Sequence, residues 1–240
     1  MADRFYSPDP PADGLLVLSG DEAHHLARVR RLRPGEVVEV FDGRGTAYRA
    51  EVSGLGRDRV VLAVRGDPRT DRAAACSLTL ATAVPKGERF AWLVEKATEM
   101  GVSRLVPLQT ARSVVDPRRT KLQRLRRVVV EAAKQSGRNR LMVLDEPVSW
   151  SAFAQEETGE NRLLAHPGGE PAAVWFRHVR GGRITLAVGP EGGFEPEEVE
   201  LGREAGWRIV GLGDTLLRIE TAGLVGCAVI LALGTTEGDR

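Results

Sequence analysis

Three apolar runs, each halted by glycine or proline, constrain this chain more than any other feature. They read RLLAHPGG (162 to 169), ITLAVGPEGG (184 to 193) and WRIVGLGD (207 to 214). Upstream, SLTLATAV (77 to 84) leads into a helical pattern, ERFAWLVEKATEMG (88 to 101). VSRLVPLQT (102 to 110) then leads into a basic helix from Thr120 to Gly137. Apolar runs that alternate with helices predict an α/β unit, a parallel sheet covered on both faces. Ligands of such sheets sit beyond the carboxyl ends of the strands, where these three turns would lie.

The middle turn narrows the ligand. In LAVGPEGGFEPEEVELGREAG (186 to 206) a glycine turn separates a strand from a helix, the order expected of a phosphate cradle. Here the helix start is already acidic. Pro196 suits the first helical position, and Glu195, Glu197 and Glu198 place carboxylates on the positive end of the helix dipole. A phosphate would be repelled, the more so with Glu191 in the turn. A neutral or cationic ligand is expected.

The first 70 or so residues carry a different pattern. GLLVLSG (14 to 20), EVVEVFDGRGTAYRAEVSGL (36 to 55) and RVVLAVRG (59 to 66) alternate or run apolar, with Asp42-Gly43 marking a hairpin. DEAHHLARVRRL (21 to 32) reads as one helix with Asp21 as a cap-like start. Short strands around one helix predict a small β-barrel over residues 1–70, and GDPRTDRAAA (66 to 75) a linker to the α/β unit of 71–240.

Several functions are disfavoured. The letters DEAH at 21 to 24 have no phosphate-loop partner, because the chain contains no Gly-Lys pair. A nicotinamide oxidoreductase would want GxGxxG after the first strand of the α/β unit, and TAVPKGERF (82 to 90) does not supply it. Cys76 and Cys227 lack any metal-ligand spacing, so no metal is expected and both read as core thiols in a reducing compartment. The polar, proline-rich start and the lack of an apolar run near the roughly 20 residues of a bilayer span predict a soluble cytoplasmic protein with no membrane contact.

With a formal net charge of +1, no global field recruits nucleic acid. Charge is instead concentrated locally: Arg112 to Arg140 holds ten Lys or Arg against Asp116 and Glu131. Such a segment in a near-neutral chain is a footprint for a phosphate backbone. AGLVGCAVILAL (222 to 233) is apolar on every helical face, with nothing later in the chain to cover it, which predicts a homodimer.

GPEGGF (189 to 194), LGDTLLRIETA (212 to 222), KATEMGV (96 to 102), RSVV (112 to 115) and EAAKQSGR (131 to 138) together closely resemble the RsmE family of SPOUT-superfamily methyltransferases. RFY near the start, HHLARVRRL and VFDG are similar to that family's PUA-like barrel, so the likeness covers nearly the whole chain. Two departures stand out: Ala111 where the family commonly has Glu, and Ile219 where it has Thr.

The resemblance implies a PUA-like barrel followed by a SPOUT domain with a trefoil knot. It implies S-adenosylmethionine as cofactor, whose sulfonium tolerates a carboxylate such as Glu191 and which has no phosphate. The reaction implied is methylation of N3 of a uridine in small-subunit (16S) ribosomal RNA, within an assembled ribosomal particle. A non-catalytic RNA-binding assembly factor on the same scaffold is the alternative. Three loops would hold the cofactor. The first contributes Leu164, His166 and Pro167. The second contributes Val188, Gly189, Pro190, Glu191 and Gly192, and with Gly193 it would let backbone approach the ligand. The third contributes Leu212, Gly213, Leu216, Leu217 and Arg218, its leucines packing the adenine. Arg218 would stabilise the uracil anion, with Glu220 as base or as the group orienting Arg218. RNA would be held by Arg4, His24, Arg28 and Arg30 near the barrel and by Arg112, Arg124, Arg127 and Arg138 in the basic segment.

Overall fold

A computed structural model describes residues 3–72, 76–115, 119–176 and 181–234. Arg118 and Asp116 of the basic segment lie outside them, as do the last three residues of the expected linker. The chain divides into two compact units, Met1–Ala73 with Val130–Leu141, and Ala74–Val129 with Met142–Arg240.

The first unit is built on β1 (Arg4–Tyr6), β2 (Leu15–Ser19), β3 (Val37–Phe41), β4 (Thr46–Leu55), β5 (Arg59–Val64) and β6 (Arg69–Thr70). The order is β1-β3-β4-β5-β2, with β6 on β4. Strands β1 and β2 end the path without pairing to each other, so the barrel is open. Period-2 burial in β2, with Leu16 and Leu18 inward and Leu15 and Val17 outward, lines a core shared with Leu26, Val38, Val40 and Leu62. The expected hairpin at Asp42 is present: its Oδ1 accepts the Arg44 and Thr46 amides at 2.7 and 2.9 Å. The expected linker is partly strand, because Arg69 and Thr70 pair with Ala47 and Thr46.

The predicted helix of 21 to 32 is shorter and breaks in two. α1 (Gly20–His24) passes into a π-helical turn, His25–Val29, and Ser19 rather than Asp21 is the N-cap. Asp21 sits in the first turn, where its charge suits the dipole.

The second unit comprises β7 (Cys76–Ala83), α2 (Arg89–Met100), β8 (Arg104–Gln109), α3 (Arg119–Ser136, shared with the first unit), β9 (Val143–Leu144), β10 (Val148–Ser149), α4 (Trp150–Glu156), β11 (Asn161–Pro171), α5 (Ala172–Phe176), β12 (Gly182–Val188), α6 (Pro196–Glu204), β13 (Arg208–Gly211) and α7 (Ile219–Gly234). All pairings are parallel in the order β10-β8-β7-β12-β11-β13, with β9 on β8. Helices α2 and α7 pack together, and α7 lies on β7 and β12 so closely that a Cβ on Gly226 would stand 2.4 Å from Leu186 Cδ2. On a separate cluster Trp150 of α4 meets Phe194 and Trp207, both at 5.0 Å between ring centroids, over Leu164 and Ala187. Burial pushes the Cys227 thiol up to about 12, as befits a small core residue. Among the described residues, no helix is long and apolar enough to cross a membrane.

Candidate active site

Strands β11, β12 and β13 lie side by side and parallel, so their carboxyl ends meet at one edge of the sheet. β11 is bulged there. Ala165 and Glu170 both register against Val210, which throws His166 to Gly169 out of the ladder. The crossing is tight, since a Cβ on Gly169 would lie 2.4 Å from the Val210 carbonyl carbon. Only glycine fits, a role the sequence reading did not assign.

The turn after β12 is held from within. The Gly193 amide donates to the Pro190 carbonyl at 2.8 Å, and Gly193 takes a φ of +70°. Gly189 is needed for packing as well as for any ligand approach, whereas the space beside Gly192 is bounded by a side chain. A Cβ on Gly189 would meet the Phe194 ring at 2.9 Å, and one on Gly192 would meet Arg112 Cδ at 3.1 Å. The acidic helix start that repels phosphate is itself in use. Glu198 accepts the Glu195 amide on Oε2 and the Ala111 amide on Oε1, both at 2.9 Å, while Arg112 reaches Glu195 at 3.6 Å. Ala111 thus contributes through its backbone amide.

The third loop, Leu212 to Arg218, leads into α7 through the Arg218 carbonyl, which accepts the Ala222 amide at 2.8 Å. Leu216 is 86% exposed, the most open large apolar side chain among the described residues. Together the three loops enclose a cavity of about 370 Å³. His166 and Pro167 line it from the first loop, Val188 to Gly192 from the second, and Leu212, Gly213, Leu216 and Leu217 from the third. Arg112, Phe194, Thr215, Ile219 and Ala222 also line it, none of them assigned to the cofactor from the sequence. Ile219 and Ala222 read as core in an apolar helix, and Arg112 sits in a basic run.

A family model described as an RNA methyltransferase domain matches residues 72–231, and one described as an RNA methyltransferase PUA domain matches 18–65. A Mycobacterium tuberculosis protein named ribosomal RNA small subunit methyltransferase E is 35% identical over 96% of this chain and 91% of its own length. The chain belongs to the ribosomal RNA small subunit methyltransferase E family. The Synechocystis methyltransferase E is 31% identical over 95% of this chain and 76% of its own. The Neisseria gonorrhoeae methyltransferase E bound to S-adenosyl methionine superposes with a TM-score of 0.88, at 29% identity over 97% and 98% of the two chains.

Two residues assigned to the cofactor do not line the cavity. Leu164 is fully buried in the cluster below it, and Arg218 is exposed at the start of α7. Glu220, on the first turn of α7, is 7% exposed. Its Oε1 lies 3.8 Å from Arg89 Nε, and its buried Oε2 has no hydrogen-bond partner among the described residues.

The expected RNA contacts fall into two groups. Arg4 is part of the scaffold: it pairs with Glu39 at 3.0 Å, donates to Asn139 Oδ1 and the Arg138 carbonyl, and lies over the Phe41 ring. Desolvation lowers its pKa and that of Arg138, which is half-buried. Arg30 pairs with Asp3. Exposed His24 and Arg28, by contrast, share a cleft of about 330 Å³ with Arg57 and Arg59, two cations the sequence reading passed over. On α3, Arg124 and Arg127 are exposed, and Arg124 meets Glu88 at 3.2 Å. Exposed pairs of this kind hold by about 0–1 kcal/mol and exchange readily for phosphate. Lys134, also counted in the basic segment, is buried on Glu22 and Glu131 at 2.6 and 2.9 Å. Among the described residues, no group of His, Cys, Asp and Glu could hold a metal ion.

Proposed function

We propose that this chain methylates N3 of a uridine in small-subunit ribosomal RNA, using S-adenosylmethionine. The observation that carries the reading is the cavity at the ends of β11, β12 and β13. Its volume of about 370 Å³ suits a small organic ligand. Leu212, Leu216 and Leu217 offer apolar faces for an adenine, and Glu191 on the cavity wall tolerates a cationic ligand. The cofactor, when bound, supplies an electrophilic methyl group on sulfur.

Uridine N3 bears a proton and attacks only after losing it, so the protein must favour the uracil anion and align it for in-line displacement. Arg218, solvent-facing at the end of the third loop, carries the charge for that anion. Glu220 Oε2, buried and unpartnered, takes the N3 proton or orients Arg218. N3 lies on the pairing edge, so the target nucleotide is unpaired or flipped, presented by the assembled small subunit in the cytoplasm. His24, Arg28, Arg57 and Arg59 on one unit and Arg124 and Arg127 on the other hold the RNA backbone.

Two further features belong to this reading. One is the trefoil knot that the family resemblance implies for the parallel-sheet unit. Val225, Ala228 and Leu233, exposed on α7 without a charge among them, support a homodimer. Calorimetry should show binding of S-adenosylmethionine and none of NAD, and labelled cofactor should pass its methyl to small subunits at uridine N3. Charge reversal at Arg124 and Arg127 should weaken RNA binding broadly and flatten its salt dependence. Sedimentation of a monomer at micromolar concentration would rule out the dimer.

A further inference from the structure

The sequence places Arg112 among the RNA contacts. In the structure its side chain turns onto the glycine turn: Nη1 donates to the Gly192 carbonyl at 2.6 Å, and Nε lies 3.6 Å from Glu195 Oε1. Its stem occupies the space where a Cβ on Gly192 would be, with Arg112 Cδ at 3.1 Å and Cβ at 3.5 Å from that point. The residues around it are fixed as well. Ala111 donates to Glu198, and Thr110 and Ser113 close a turn through the Ser113 amide to the Thr110 carbonyl at 3.1 Å and the Thr110 amide to Ser113 Oγ at 2.9 Å.

We propose that Arg112 is a positioning residue of the cofactor turn and not a phosphate contact. One peptide unit is decisive. Gly192 and Gly193 flank it, and with no Cβ on either side it can rotate at little steric cost. Rotation would exchange a carbonyl for an amide at the cavity wall and change what the ligand meets. Both ends of this unit are pinned, the carbonyl by Arg112 and the Gly193 amide by the Pro190 carbonyl at 2.8 Å. A planar guanidinium bridges a carbonyl and a carboxylate as no other side chain does. Glu195 holds it there by charge, so the acidic start of α6 serves the turn through Arg112. To contact a phosphate, Arg112 would have to leave both the Gly192 carbonyl and Glu195.

This inference rests on the cavity being the S-adenosylmethionine site. Calorimetry with S-adenosylmethionine and salt titrations of 16S ribosomal RNA binding, both on the full chain, test it. Arg112→Ala should raise the cofactor Kd at least tenfold, and the KM for cofactor with it, while the slope of log K against log salt for RNA stays at the wild-type value. Arg112→Lys should recover part of the affinity, because an ammonium can donate to the carbonyl without bridging. Glu195→Gln should raise Kd less than Arg112→Ala, and adding it to Arg112→Ala should change nothing more. If Arg112→Ala fails to fold, the lysine variant and Glu195→Gln decide. Wild-type cofactor affinity in these variants, or an RNA salt slope lowered by about one, overturns the proposal. If the wild-type chain itself binds no S-adenosylmethionine, the cofactor reading has failed instead.

Discussion

Two strand-to-helix loops face the same cavity, and they are built to opposite standards of completeness. In the turn after β12, each polar group that matters is matched: Gly193 on Pro190, Gly192 on Arg112, Glu198 on two amides. The loop after β13 leaves its groups open. Leu216 is largely exposed, and among the described residues Arg218 has no side-chain partner and Glu220, just beyond the loop on α7, keeps a buried oxygen without a donor. A buried unmade hydrogen bond costs about 1–3 kcal/mol, so a fold that tolerates one gains by it elsewhere. Under the function proposed above, the first loop would serve shape and the second chemistry.

The largest effect expected from that contrast is on rate. Arg218→Ala should slow single-turnover methyl transfer on the order of a hundredfold, about 3 kcal/mol, while sparing RNA affinity. Turnover at the wild-type rate with saturating RNA and cofactor would remove Arg218 from the reaction and break the comparison on its chemical side. The shaping loop should answer to a different readout. Gly189→Val drives a Cβ into the ring and backbone of Phe194, at 2.9 and 3.2 Å, and overpacking of this kind costs about 1–3 kcal/mol in thermal or denaturant melts. Gly192→Val meets a movable arginine stem instead. It should leave the melt unchanged and abolish cofactor binding, and equal destabilisation of the two variants would show the turn to be a uniform scaffold. Smaller again, Glu198→Ala removes the acceptor for two amides and should cost about 1 kcal/mol of stability.

The sequence made the sheet legible because its signals are local. Strand runs ending in glycine or proline, and a helix opening Glu-Pro-Glu-Glu, specify backbone geometry within a few residues. The cavity loops followed from the strand ends. What could not be read there is set by distant partners. Nothing in RSVV says that Arg112 bends onto Gly192, eighty residues on, rather than toward RNA. Arg4 and Lys134 look like surface cations until Glu39 and Glu22 enclose them. The helix from Asp21 failed for a related reason: its periodicity does not distinguish an α turn from the wider π turn of His25–Val29. Segment 141–160 drew no reading, although Trp150 there anchors the aromatic cluster, because its two strands are only two residues each.

The smallest expected effect is the most discriminating, because it separates stability from rate at a single side chain. Glu220→Gln keeps the shape of the carboxylate and removes its charge. Two terms favour the charge in the folded state: its place on the first turn of α7, about 0.3–1 kcal/mol, and the half-exposed Arg89 at 3.8 Å, about 0–1 kcal/mol. Burial opposes it, and so does the unpartnered Oε2. These terms are of similar size and opposite sign, so the melt should move by less than about 1 kcal/mol. Methyl transfer should nonetheless fall, because glutamine can neither accept the N3 proton nor orient Arg218 by charge. A substantial loss of stability with the rate intact would identify Glu220 as a structural carboxylate of α7. The open oxygen would then be a cost of helix packing, and the two loops would differ in exposure but not in task.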